Sequence, residues 1–272
     1  MAAASLAVMP TRTSYVAFTT AADPPLTVAG KLNTVSSAGD RAIRTPGVVI
    51  CHGSDGVDTR GEFHAEALNA AGIATLEIDM WAARGVTRGA AARPRSPVET
   101  LPDAFAAKTF LGAQPEVDPD RIAVMGFSWG GVVTLLAAGR RAQHLSGGAP
   151  PFRAHVALYP VCWAYETVAG LSLADLTGAP VLIQAGDADA YDDPDGLDQL
   201  LARLPAASRA VVRGVTHAGA GHGFDRDLPA QTINDPFAHK GKGGPVLMAF
   251  HPKAAQAARD LTVEFLRDAF SV

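Results

Sequence analysis

The chain has 272 residues, of which 48% are hydrophobic and 18% charged, with a formal net charge of −4. That composition supports a large buried core and excludes a disordered chain, while the weak negative charge argues against nucleic acid and anionic membranes as partners. Cys51 and Cys162 are too few for a disulfide framework or a structural zinc site, and no run of about 18 apolar residues marks a membrane span.

The stretch Met1–Pro10 lacks a basic region ahead of its apolar residues, so no secretory signal is expected. The expectation is a cytoplasmic protein with two buried, reduced thiols. Ser14–Thr19 and Leu26–Val35 are β-rich and separated by Ala-Asp-Pro-Pro, which predicts an antiparallel hairpin. Val48–Cys51 predicts a buried strand, Glu62–Ala71 a helix closed by Gly72, and Ile73–Asp79 the next strand. An Arg-, Gly- and Pro-rich loop follows from Trp81 to Pro97, then a helix over Val98–Gln114.

Arg121–Met125 reads as a strand that leads into Gly126-Phe127-Ser128-Trp129-Gly130 and a helix from about Gly130 to Gln143. Further strands are predicted at Ala154–Tyr159, Val181–Gln184 and Arg209–Arg213, with a helix at Asp195–Arg203. The last helix runs from about Lys253 to Phe270, with Ala258, Leu261 and Phe265 as its buried stripe. Strands alternating with helices imply a mainly parallel central sheet with helices on both faces, in one domain spanning residues 1–272.

Ser128 in Gly-x-Ser-x-Gly carries the chemistry. The motif follows a strand and opens a helix, the context of a nucleophile elbow in the α/β-hydrolase fold. The glycines leave room for a sharp turn that lifts the hydroxyl out of the sheet and puts the next N–H at a helix N-terminus. A serine hydroxyl needs a base, and the base an orienting acid, in chain order Ser, acid, His. Asp189, past the strand ending at Gly186, is the preferred acid, and Asp192 the next choice. Asp187 and Asp193 read as loop or capping carboxylates. His222 in His-Gly-Phe-Asp is the preferred base, and His217 in Gly-Val-Thr-His-Ala the alternative. The histidine not used is expected to be an exposed loop residue. The loop His52-Gly53-Ser54-Asp55-Gly56 suggests the backbone N–H of Ser54 as one oxyanion donor and that of Trp129 as the other. No metal or organic cofactor is expected.

These residues resemble the dienelactone hydrolase family over most of residues 46–270. The resemblance is carried by Val-Val-Ile-Cys-His-Gly, Ile-Asp-Met-Trp, Val-Asp-Pro-Asp-Arg-Ile-Ala-Val-Met-Gly-Phe-Ser-Trp-Gly-Gly, Tyr-Pro-Val-Cys-Trp and His-Gly-Phe-Asp. It implies an eight-stranded α/β-hydrolase sheet without a large cap domain, acting on small esters or lactones. The family's founding members use a cysteine nucleophile. Ser128 in that position moves the expectation toward broader carboxylic esters, cleaved through an acyl-enzyme. The two histidine segments, five residues apart, both look like the family's base segment, so one of them reads as an insertion.

Trp81, Trp129, Trp163, Tyr165 and Tyr191 fall near predicted strand ends, as candidates either for a substrate pocket or for core packing. Arg84, Arg88, Arg93 and Arg95 form either a solvated face or a clamp for a substrate carboxylate. Asp235–Gly244 is expected as a loop beyond the base. The rival readings are a peptidase or acyltransferase with the same triad, or a non-catalytic ligand-binding protein of this fold.

Overall fold

Eight strands hydrogen-bond into one sheet in the computed structural model, which describes residues 10–35, 44–87, 93–146 and 148–271. The hairpin comes first: β1 (Thr11–Thr19) and β2 (Thr27–Val35) pair antiparallel, Thr11 opposite Val35 and Thr19 opposite Thr27. β3 (Thr45–Cys51), α1 (Thr59–Ala70) and β4 (Ala74–Asp79) form the first crossover. Next come α2 (Leu101–Gly112), β5 (Val117–Phe127) and α3 (Trp129–Ala137). The strand order is β1-β2-β4-β3-β5-β6-β7-β8, where β6 is His155–Leu158, β7 Val181–Gly186 and β8 Val212–His217. From β4 to β8 every pairing is parallel. The family's eight-stranded sheet is therefore present.

Side-chain alternation divides the core between the two faces. Val49, Cys51 and Val124 pack with Leu111 of α2 and Val133 of α3 on one face. Val48, Ile50, Ala123, Met125 and Phe127 pack with Leu68 of α1 and Leu266 of the last helix on the other. β3 is buried along its whole length, which is why it reads as an unbroken apolar run. Each fully buried Leu or Ile contributes about 2 kcal/mol by area.

Three predicted elements differ. The helix expected from Gly130 to Gln143 breaks at Gly139, and α4 (Arg140–Leu145) follows. A neighbouring loop takes the helix's hydrogen bonds: Arg140 N–H donates to Asp175 and Thr177 N–H donates to Ala138. The strand expected at Arg209–Arg213 starts later. Beyond α5 (Gly196–Arg203), Pro205 opens a short turn, α6 (Ala206–Arg209), and β8 then runs to His217. Asp235–Gly244 is not a bare loop. β9 (Gln231–Asp235) and β10 (Gly244–Met248) pair antiparallel around one kinked turn, α7 (Ala238–Gly241).

The last helix, α8 (Pro252–Phe270), buries Ala254, Ala255, Ala258, Thr262, Leu266 and Phe270. Leu261 and Phe265 flank that stripe, only partly buried. The narrow +3/+4 pattern located one edge of a broader contact face. Among the described residues, no helix is long and apolar enough to cross a membrane.

Candidate active site

Ser128 stands between β5 and α3 with φ 50° and ψ −109°, a conformation that costs on the order of 1–3 kcal/mol. Its N–H donates to Leu158 of β6 at 3.0 Å, and its C=O accepts the first helical bond from Val132 at 2.9 Å. The flanking glycines are obligatory by contact. A Cβ on Gly126 would lie 2.3 Å from the Gly130 carbonyl carbon, and one on Gly130 would lie 2.0 Å from the Cys51 carbonyl oxygen. Strand β5, the helix it feeds and strand β3 meet with no space for a methyl group.

His222 follows β8, and its ring bridges two partners. Nε2 lies 2.8 Å from Ser128 Oγ, and Nδ1 lies 2.8 Å from Asp189 Oδ2. With the carboxylate as acceptor, Nδ1 donates and Nε2 faces the hydroxyl. Asp189 is 5% exposed and His222 4%, so the pair is shielded from water. Tyr191 N–H donates to the other Asp189 oxygen at 2.9 Å. The acid and base loops are joined directly, through the Ala188 N–H to Ala220 C=O bond at 3.1 Å.

The alternatives occupy other positions. His217 ends β8 and is buried instead of lying exposed in a loop. Its Nε2 meets Gln184 Oε1 at 3.0 Å, and its ring packs on Phe224. Asp192 accepts from the N–H groups of Cys162 and Trp163 at 2.6 and 2.7 Å. Burial pushes its carboxyl up to about 6 against those bonds. Asp187 accepts from Gly219 N–H, and Asp193 pairs with Lys240.

Ser54 sits in a turn closed by Gly56 N–H donating to Gly53 C=O at 3.1 Å, directly after β3. Trp81 Nε1 donates to the Ser54 carbonyl at 3.0 Å, and Arg93 donates to its hydroxyl. Neighbouring His52 is fixed in one tautomer. Met80 N–H donates to its Nε2, so Nδ1 carries the proton and donates to Gly53 C=O. Burial lowers the His52 pKa to about 4, so the ring stays neutral.

Ser54, Ser128, Trp129 and His222 line one cavity of about 400 Å³. Its walls are mainly apolar, with Val132, Val161, Trp163, Leu171, Ile233 and Met248 among them. Of the predicted aromatic residues, Trp129, Trp163 and Tyr191 border it, whereas Trp81 and Tyr165 are buried core residues. The predicted arginines also part. Arg84 is engaged by Asp103 at 2.6 and 3.1 Å and by the Met80 and Glu99 carbonyls. Arg88 lies outside the described residues, while Arg93 and Arg95 border the cavity. The Arg93 guanidinium lies 4.2 Å from the Phe237 ring centre and 4.9 Å from that of Trp129, and burial lowers its pKa.

A buried polar network behind the serine had no counterpart in the sequence reading. Tyr159 Oη donates to Asp225 at 2.5 Å, His64 Nε2 donates to the other Asp225 oxygen at 2.9 Å, and the Tyr159 ring meets the His222 ring edge-on at 5.0 Å. The available signals were Asp225 as the last residue of His-Gly-Phe-Asp and Tyr159 as the first of Tyr-Pro-Val-Cys-Trp, with nothing to join them. Cys51 and Cys162 are both buried and unbridged. Among the described residues, no group of three or more His, Cys, Asp or Glu is arranged to hold a metal ion.

Comparison with known proteins places this geometry in context. The model of the family described as "Dienelactone hydrolase family" matches residues 32–270. An uncharacterized protein of Mycobacterium tuberculosis is 30% identical over 200 residues, covering 70% of this chain and 67% of that one. A Bradyrhizobium protein named "Probable 2-oxo-3-(5-oxofuran-2-ylidene)propanoate lactonase" is 28% identical over 238 residues, covering 82% of this chain and 84% of its own. Among solved structures, Thermogutta terrifontis esterase 2 phosphorylated by paraoxon superposes with a TM-score of 0.64 at 16% identity, covering 94% of each chain. A dienelactone hydrolase-like promiscuous phosphotriesterase from metagenomic libraries gives a TM-score of 0.59 at 20% identity, covering 94% of this chain and 98% of that one. At such identities these structures establish a shared fold.

Proposed function

The chain belongs to the dienelactone hydrolase family, and from that premise we propose that it hydrolyses small carboxylic esters or lactones through an acyl-enzyme on Ser128. The observation that carries this reading is the His222 ring, 2.8 Å from both Ser128 Oγ and Asp189 Oδ2, at the edge of an apolar cavity. One domain supplies the whole site.

His222 takes the Ser128 proton as Oγ attacks the ester carbonyl carbon. The carbonyl oxygen becomes an oxyanion, held by the N–H groups of Trp129 and Ser54. Trp129 is the first residue of α3, so its N–H has no partner within the helix and lies at the positive end of the dipole. His222 then gives its proton to the leaving alcohol. In the second half it draws a proton from water as the hydroxide attacks the acyl carbon, and it returns that proton to Ser128 Oγ as the bond to the acid breaks. Asp189 holds the ring in the tautomer that both halves need. Losing one oxyanion donor typically costs about 3 kcal/mol of transition-state stabilisation.

The lactonase name of the Bradyrhizobium relative supports a small lactone or ester, and the lining of the cavity supports a substrate with apolar surface. The test is turnover of short-chain p-nitrophenyl esters by the wild type and by Ser128→Ala. Turnover that depends on Ser128 is expected. Turnover that survives the substitution refutes the nucleophile, and tight ligand binding without turnover makes the protein a receptor.

A further inference from the structure

Arg60 lies in the first turn of α1 and is 4% exposed, yet its guanidinium borders the cavity that holds Ser128. A buried cation is costly unless paired. Asp58, the N-cap of the same helix, supplies the pair: Nε to Oδ1 at 2.8 Å and Nη2 to Oδ2 at 2.7 Å. Nη1 reaches the Tyr159 hydroxyl at 3.5 Å.

The same planar group lies beside three segments at once. A Cβ on Gly53 would meet Nη2 at 3.0 Å and Nη1 at 3.2 Å, and one on Gly223 would lie 4.0 Å from Nη1. Its carbon lies 5.5 Å from the centre of the Phe127 ring. Gly53 precedes Ser54, Gly223 follows His222, and Phe127 precedes Ser128. One guanidinium therefore abuts the chain next to each of three residues that the proposed chemistry uses.

We propose that Arg60 is a positioning residue, fixing the separation between the turn that carries Ser54 and the loop that carries His222. The inference rests on the ester-hydrolase reading above. Positive charge alone does not account for the arrangement, because Arg226 is also present, paired with Asp55 and Asp58. Arg60 supplies a rigid plane with donors at fixed angles, close to Gly53 and within reach of Gly223, which a flexible ammonium does not reproduce. A catalytic group misplaced by about 1 Å costs about 100-fold in rate.

The experiment compares p-nitrophenyl acetate hydrolysis by the wild type, Ser128→Ala, Arg60→Lys, Arg60→Ala, Gly53→Ala and the doubles of Gly53→Ala with each Arg60 variant. Active sites are counted by covalent labelling with a fluorophosphonate. Both Arg60 variants are expected to lose about 100-fold in kcat per labelled site, with KM within about three-fold. Millimolar guanidinium restores part of the kcat of Arg60→Ala. Gly53→Ala lowers kcat in the wild type but adds little in an Arg60 background, the mark of coupled residues. Should Arg60→Ala fail to fold, the cycle with Arg60→Lys carries the test. Arg60 variants with wild-type kcat per labelled site, or losses that simply add, overturn the positioning role while leaving Ser128 in place. Wild-type turnover that does not depend on Ser128 overturns the parent reading and this inference with it.

Discussion

The ring of Tyr191 lies 4.2 Å from that of His222, tilted by 39°, so the imidazole is covered on the side facing the β9–β10 hairpin. The Tyr191 hydroxyl donates to Asp235 of β9 at 2.7 Å. Tyr191→Phe keeps the cover and cuts the tie. It is expected to lower unfolding free energy by about 1 kcal/mol and to leave kcat on small esters within about three-fold. Tyr191→Ala uncovers the ring and is expected to lower kcat about ten-fold or more. Equal kcat values for the two variants would assign no role to the cover.

Two nearby carboxylates have separable tasks. Asp189→Asn disturbs the tautomer of His222 and is expected to lower kcat by about 10⁴-fold with the fold intact. Asp192→Ala orphans the Cys162 and Trp163 N–H groups instead. Its expected cost is about 2 kcal/mol in urea unfolding, with kcat within about ten-fold. The opposite pattern would make Asp192 the acid.

Arg93 borders the cavity with no ion pair to a carboxylate among the described residues. If it receives an acidic substrate, Arg93→Met raises KM about ten-fold for esters bearing a carboxylate and spares neutral ones. A comparable rise for both classes sinks that role.

Burial pushes the Glu77 carboxyl up to about 7, with Asp58 adding to the rise. Between its unfolded value near 4.5 and 7 the folded state binds the extra proton, so this contribution to stability falls as pH rises through that window. Glu77→Gln removes the loss. The stability of the variant relative to the wild type should therefore climb by about 3 kcal/mol from pH 4.5 to pH 8 in denaturant titrations. His52 and His155, both lowered to about 4 by burial, act in the other direction, losing stability as pH falls from 6.5 toward 4. The difference between variant and wild type is thus the sharper readout. A flat difference would place the Glu77 carboxyl in water.

The parts of the site legible in the sequence are those fixed by local chain geometry. Gly126, Ser128 and Gly130 announce a strand-to-helix turn because only glycine fits there, and the apolar run before Cys51 announces a buried strand. That His222 and not His217 meets Ser128 follows from the register of β8 against β7, which places His217 opposite Gly186 inside the sheet. That pairing is a tertiary fact, invisible in two histidines five residues apart. The contact between Arg60 and Tyr159 is invisible for the same reason, since they are 99 residues apart and meet only in the fold. The break at Gly139 was missed because the competing hydrogen bonds come from residues 175–177.

The β9–β10 hairpin has a small core of its own, in which Val246 and Ala238 pack with Tyr191, Ile233 and Met248. It hydrogen-bonds as a separate two-stranded sheet and shares no ladder with the eight strands that carry Ser128, Asp189 and His222. Inserted between the base loop and α8, it behaves as a cassette. Replacement of this segment by a hairpin of another shape is expected to remodel one wall of the cavity while the sheet keeps its order, provided the new hairpin still packs on Tyr191, the cover of His222. Exchange of about twenty residues would then change the shape of the pocket without rebuilding the sheet.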